Sequence, residues 1–164
     1  MHFHTEHHIH GDPDRVVAVL SDPGFYQQLE LPDLSKPEVV AHDTSPHGTT
    51  LRLRYEFVGS LDPLARRLLG NQSLAWLQEV NIDPQERSGA LTFGAERDPK
   101  RLHGNATFVL EASENETLRR LDGELVVAVP GIGRMAERRI LPGLLRRLDI
   151  EARALSEATG GDVK

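Results

Sequence analysis

From Gly131 onward, Ile132, Ala136, Ile140, Leu144, Leu148, Ala152 and Leu155 recur at a helical spacing that gathers them on one stripe of a single long helix, with arginines largely elsewhere. Upstream the pattern is different. Leu51, Leu53, Tyr55 and Phe57 alternate with Arg52, Arg54 and Glu56, so that stretch reads as a strand with one face on a core and one in water. Strands of this kind, joined in a meander, leave an apolar face to be covered, and the closing helix is the only predicted element long enough to cover it. The chain is therefore expected to be one α+β domain, a curved antiparallel sheet of about seven strands wrapped around a long C-terminal helix.

The order of elements follows from the same periodicities. Phe3, Thr5, His7 and Ile9 alternate with His2, His4, Glu6, His8 and His10 in a first strand that stops at Gly11. Asp12 before Pro13 is a favourable helix start, and Asp22-Pro23-Gly24 breaks that helix before a second turn over 25–29. Further strands are predicted over 38–43, 51–57, 74–83, 89–95, 102–112 and 117–129. A short helical excursion near 62–70 begins at Asp62-Pro63 and ends at Gly70. Pro142-Gly143 predicts a kink in the last helix, residues 1–159 form the domain, and 160–164 form a frayed tail.

Composition narrows the classes. With no cysteine, a disulfide framework, a thiolate metal site and a cysteine nucleophile are all excluded, and a reducing cytoplasmic location is the default expectation. No signal-peptide pattern and no apolar run of membrane-spanning length is present, so integral membrane association is not expected. The balance of 25 acidic against 19 basic residues, a net charge of −6, disfavours nucleic acid as a partner.

The element order, together with the opening FHTEHHIHGDPDRVVAVLSDPGFYQQL, resembles the START-like or Bet v 1-like superfamily, the helix-grip or polyketide cyclase-like group (SRPBCC). The segments LPDLSKPEVV, LRLRYEFVGSLDPLARRLLGNQSLAWLQEV and RRLDGELVVAVPGIGRMAERRILPGLLRRLDIEARAL resemble the bacterial DUF2505 family within it. The resemblance covers nearly the whole chain. It implies an apolar or amphipathic small molecule, such as a lipid, polyketide or aromatic compound, held between sheet and helix.

Alternation places Phe3, Leu53, Tyr55, Phe57, Trp76, Phe93, Phe108, Leu125 and Val127 toward the helix, opposed by Met135, Ile140 and Leu144. Gln78 and His7 share that face. The candidate ligand-binding set is Tyr55, Phe57, Trp76, Gln78, Phe93, Phe108, Leu125, Met135, Ile140 and Leu144; the alternative is that these residues fill a solid core. Gly89, Gly104, Ala106 and Gly123 remove volume on the same face, leaving either a void or a place for the sheet to bend.

No motif demands a catalytic residue, metal or cofactor. The serines lie outside any Gly-x-Ser-x-Gly setting, and no phosphate loop occurs. His2, His4, Glu6, His8 and His10 share one strand face, where residues two apart are separated by roughly 7 Å. Because metal sites draw ligands from more than one element, these side chains are read as a solvated face, with weak zinc or nickel binding as the alternative. Asp122 and Glu124 share a face and are expected opposite Arg52 and Arg54 on the outer side of the sheet, with acid–base catalysis by the paired carboxylates as the alternative. Arg134, Arg138, Arg139, Arg146 and Arg147 are read as a solvated helix face rather than a docking patch.

Three function classes stay open: a non-catalytic binder or carrier of a hydrophobic small molecule, a cyclase- or dehydratase-type enzyme, and an interaction or regulatory module with a solid core. By the resemblance, the enzyme would pair His7 or Tyr55 with Arg139.

Overall fold

Aspartate-proline steps decide where this chain changes from strand to helix. In the computed structural model, which describes residues 1–69 and 73–160, β1 (His2–His10) ends at Gly11. The Asp12 carboxylate then accepts a hydrogen bond from the Arg15 amide at 3.0 Å. Pro13 occupies a position whose amide would have no intrahelical partner, so α1 (Pro13–Leu20) begins there. Asp22 repeats the device by accepting from the Gly24 amide at 3.0 Å, and Pro23 opens α2 (Pro23–Gln27). The step read as a helix breaker thus also starts the next helix. At α3 (Pro63–Leu69) the cap is Asp62, which accepts from the Ala65 amide at 2.8 Å. The predicted stop at Gly70 and residues 161–164 of the predicted tail lie outside the described residues, while Gly160, the first residue of that tail, is the last of α4 (Gly133–Gly160).

The strands are β2 (Glu38–Ser45), β3 (Gly48–Glu56), β4 (Ala75–Asp83), β5 (Ser88–Ala95), β6 (Leu102–Ser113) and β7 (Glu116–Val127), followed by α4 (Gly133–Gly160), in which Pro142 stands. With β1 they form one seven-stranded antiparallel sheet in the order β1-β7-β6-β5-β4-β3-β2. β2 to β7 are a meander, and β1 returns to pair with β7 from His2↔Glu124 to His10↔Glu116. The β2–β3 hairpin turns through Gly48 at φ +149°, where an added Cβ would lie 2.1 Å from the Ile82 carbonyl oxygen. Phe57, predicted to end the third strand, lies one residue past β3 and bridges to Leu34.

Strand alternation delivers the core as expected: Ile9, Leu51, Leu53 and Tyr55 are completely buried, and Leu121 and Leu125 nearly so. Each fully buried aliphatic side chain contributes about 1.5–3 kcal/mol. Against this face α4 is docked unevenly. Its C-terminal half buries Leu148, Ala152 and Leu155 and runs beside β1, β7 and α1. In its N-terminal half, Ile140 and Leu144 remain only partly buried.

The small inward residues have a specific use. Gly89 pairs with Phe108, Gly104 with Phe93 and Gly123 with Phe3 across adjacent strands. A Cβ on each glycine would lie 2.3, 2.2 and 2.6 Å from the Cζ atom of its partner ring. Each glycine is therefore the seat of a neighbouring phenyl ring, an arrangement that covers exposed backbone with aromatic surface. Gly104→Val should displace Phe93 and cost about 1–3 kcal/mol in urea unfolding, whereas Thr92→Val on the exposed face should change stability by less than about 0.5 kcal/mol. Equal effects would show that the ring is not seated on the glycine.

Candidate functional site

Two polar clusters lie between sheet and helix. The first pins α4. Arg119 follows the inward alternation of β7 and is 2 % exposed; its Nη1 donates to Glu151 Oε1 at 2.7 Å, and Glu151 is 7 % exposed. Arg119 Nη2 donates to the Leu148 carbonyl at 3.1 Å and lies 3.3 Å from His7 Nδ1. His7 Nε2 is 2.8 Å from Asp149 Oδ1.

This geometry defines the His7 tautomer. Nε2 carries the proton and donates to Asp149, leaving Nδ1 to accept from Arg119. Burial lowers the His7 pKa below 6.5, and the Arg119 charge lowers it further, against the opposing pull of Asp149 and Glu151. A proton on Nδ1 would face a cation.

The second cluster borders a cavity of about 380 Å³ between the N-terminal half of α4 and the β3–β5 side of the sheet. Phe57, Trp76, Phe93, Leu125, Ile140, Leu144 and Ile150 supply most of its apolar wall, with Leu31, Leu34 and Leu61 from the segments flanking β2 and α3. Several of these, including Trp76, Phe93, Ile140 and Leu144, are only half-buried because they face this space rather than packed atoms. Gly143 adds room, since a Cβ there would meet no atom within 4 Å. The charged lining residues are Asp33, Asp62, Arg139, Arg146 and Arg147. Asp62 and Arg139 pair at 3.8 Å, both about half-exposed.

Arg147 is the exception among the α4 arginines. Read as part of a solvated face, it is instead 6 % exposed, because it lies three residues after Leu144 and next to Leu148 on the inward side of the helix. Its Nη2 donates to Gln78 Oε1 at 2.8 Å, and its guanidinium carbon lies 4.8 Å from the centroid of the Tyr55 ring. Tyr55 in turn stacks on Trp76, with centroids 5.4 Å apart and planes 11° from parallel. Arg147 Nε, Arg147 Nη1 and the Tyr55 hydroxyl are buried without a hydrogen-bond partner. Burial pushes the Tyr55 pKa above the usual phenol range, so the hydroxyl stays protonated.

Of the ten candidate ligand residues, Phe57, Trp76, Phe93, Leu125, Ile140 and Leu144 line this cavity. Tyr55 and Gln78 lie behind the wall as supports for Trp76 and Arg147. Phe108 is packed in the core over Gly89. Met135 is 50 % exposed, one position away from the buried Ala136 and therefore turned off the inward stripe. His7 and Arg139, considered together above, do not meet: His7 is held by Arg119 and Asp149, and Arg139 by Asp62.

On the outer face, Asp122 and Glu124 do not oppose Arg52 and Arg54. The meander places β6, β5 and β4 between those strands, so β7 presents its carboxylates to β1 instead. His4 Nδ1 lies 2.7 Å from Asp122, and His2 lies 3.9 Å from Glu124. Arg52 pairs with Glu79, and Arg54 with Glu96 and Glu56. Among the described residues no group of three or more His, Asp or Glu side chains is arranged to hold a metal ion. Among them, too, no helix is long and apolar enough to cross a membrane.

A curved antiparallel sheet closed by one long helix, with two short helices after the first strand, is the helix-grip fold of START-like and Bet v 1-like proteins. The chain is similar to a protein of Thermus thermophilus at 16 % identity, with all of both chains covered and a TM-score of 0.71. It is similar to an aromatase/cyclase of a Streptomyces species at 16 % identity, covering 99 % of this chain and 92 % of that one, with a TM-score of 0.59. It is also similar to norcoclaurine synthase of Thalictrum flavum at 18 % identity, covering 96 % and 84 %, with a TM-score of 0.64. No curated protein matches the sequence. Residues 4–158 match the family described as protein of unknown function (DUF2505), and the chain belongs to that family.

Because the folded-state pKa of His7 lies below its unfolded value of 6.5, its stabilising contribution is present above pH 6.5 and is lost as the pH falls below it. The exposed His4, raised by its hydrogen bond to Asp122, acts in the opposite direction, so the comparison must be made between variants. Urea unfolding at about pH 7.5 and about pH 5.5 should show wild type losing more stability on acidification than His7→Gln does. Identical losses would mean that His7 is not held neutral.

Proposed function

We propose that this protein binds or carries a hydrophobic or amphipathic small molecule, of lipid, polyketide or aromatic type, in the cavity between sheet and α4, without chemical turnover. The observation that carries this reading is the cavity itself, about 380 Å³ walled by Phe57, Trp76, Phe93, Leu125, Ile140 and Leu144. A concave apolar site of this size with a few polar groups is the usual form of a small-molecule pocket. The shared fold with an aromatase/cyclase and with norcoclaurine synthase supports a container that accepts ring compounds.

The chemistry of the wall favours binding over catalysis. A cyclase-type reaction needs a positioned acid–base group, and His7, its first candidate, does not line the cavity. Tyr55 lies behind Trp76 with its hydroxyl pKa raised, and Asp62 is paired with Arg139 at the rim. The cavity can hold an apolar body by area and dispersion, at about 25 cal/mol per Å² of apolar surface removed from water.

The neutral reporter N-phenyl-1-naphthylamine should bind wild type saturably with one-to-one stoichiometry. Leu144→Trp, which places a larger ring in the cavity, should weaken that binding by about tenfold or more, a loss of about 1.4 kcal/mol or more. Its thermal unfolding should stay close to that of wild type, because the added volume enters empty space. Absence of saturable binding in wild type, or unchanged binding in the folded variant, would refute a ligand in this cavity.

A further inference from the structure

The cavity reading leaves one charge unexplained. Arg147 brings a guanidinium to the wall of an otherwise largely apolar space at 6 % exposure, and an unpaired buried cation costs several kcal/mol unless its donors and charge are met. What the protein supplies is partial: one hydrogen bond to the neutral Gln78 and the face of the Tyr55 ring. The nearest buried carboxylate on α4, Glu151, is taken by Arg119 at 2.7 Å. Of the two cavity-lining carboxylates, Asp62 is paired with Arg139 at the rim and Asp33 is exposed to solvent. Nε and Nη1 of Arg147, and the hydroxyl of the Tyr55 ring beneath it, have no acceptor.

The unmet Nε and Nη1 of a permanently charged guanidinium at the cavity wall call for an acceptor that carries a negative charge. We infer that the ligand of this cavity is an organic anion, a carboxylate with an apolar and preferably aromatic body, whose charged group is received by Arg147 while Gln78 and Tyr55 hold the guanidinium in place. Trp76 and Phe93 then flank the apolar body. Arg139 and Arg146, the other cationic lining residues, are more open to solvent than Arg147, so they can draw an anion toward the cavity at little desolvation cost. This inference rests on the cavity reading above and deepens it by specifying the polar end of the ligand.

The test uses two probes of nearly the same shape, 2-naphthoate and 2-naphthylmethanol, titrated calorimetrically into the protein. Wild type should bind naphthoate at least about tenfold more tightly than the alcohol. Arg147→Met, which keeps the length of the side chain and removes the fork, should bring the two affinities to within about twofold while keeping the alcohol's own affinity, because the apolar wall is unchanged. In wild type the Nε–Hε NMR resonance of Arg147 should shift on adding naphthoate and stay in place with the alcohol, a readout that does not depend on the variant folding. Equal affinities in wild type, an unmoved Arg147 resonance, or a naphthoate preference that survives in Arg147→Met would overturn the anion assignment and leave the container standing. Failure of both probes to bind saturably would remove the container reading and the anion with it.

Discussion

The arrangement of this protein depends on one buried ion pair. Arg119 on β7 and Glu151 on α4 meet at 2.7 Å with almost no solvent contact, and Arg119 also holds the Leu148 carbonyl and His7. Such a pair adds little net stability over well-packed hydrocarbon, but leaving either partner alone typically costs about 3–5 kcal/mol. Its consequence is therefore positional: every alternative seating of the helix on the sheet leaves a charge buried and unpaired. The pin fixes both the rotation of α4 and its height along β1 and β7, where Leu148, Ala152 and Leu155 then pack.

Because the pin lies in the C-terminal half of the helix, the other half is free to stand away from β3, β4 and β5. The cavity is a result of that uneven docking and not of missing side chains in the sheet. The glycines that looked like removed volume, Gly89, Gly104 and Gly123, are filled by Phe108, Phe93 and Phe3, so the sheet face is smooth and closed. Phe93 serves twice, covering the Gly104 backbone and presenting itself to the cavity. A substitution at Gly104 therefore reaches the cavity through the ring it carries.

What could be read from the sequence was what local physics determines. Asp-Pro steps start helices by capping and by removing a useless donor, both within a few residues, and the predicted starts at Asp12 and Asp62 stand in the structure. Alternation placed Leu53, Tyr55 and Gln78 inward for equally local reasons. The same rule also placed Arg119 inward between Thr117 and Leu121, and helical spacing placed Arg147 and Glu151 beside Leu148. Those positions are legible, but the charge of Arg147 reads as solvent exposure, a rule that fails when the partner lies on another element, and no local pattern joins Arg119 to Glu151. The partner of Asp122 could not be read at all, since β1 reaches β7 across 118 positions and no local pattern records that pairing.

The two polar clusters between sheet and helix differ in one respect that separates structure from function. Around Arg119 three Nη contacts are made, to a carboxylate, a carbonyl and a neutral imidazole, so that only Nε is left without a partner and the charge is balanced by Glu151. Around Arg147, one turn before Glu151 on α4, the protein supplies a neutral amide and a π face and stops there. A residue retained only for packing would be better served by a methionine or leucine at that position, which would carry the apolar stripe without a desolvated charge. An incompletely satisfied cation at the wall of a cavity is instead what a site requires when the missing partner arrives with the ligand, since the unmet donors then become binding energy and selectivity rather than a permanent loss.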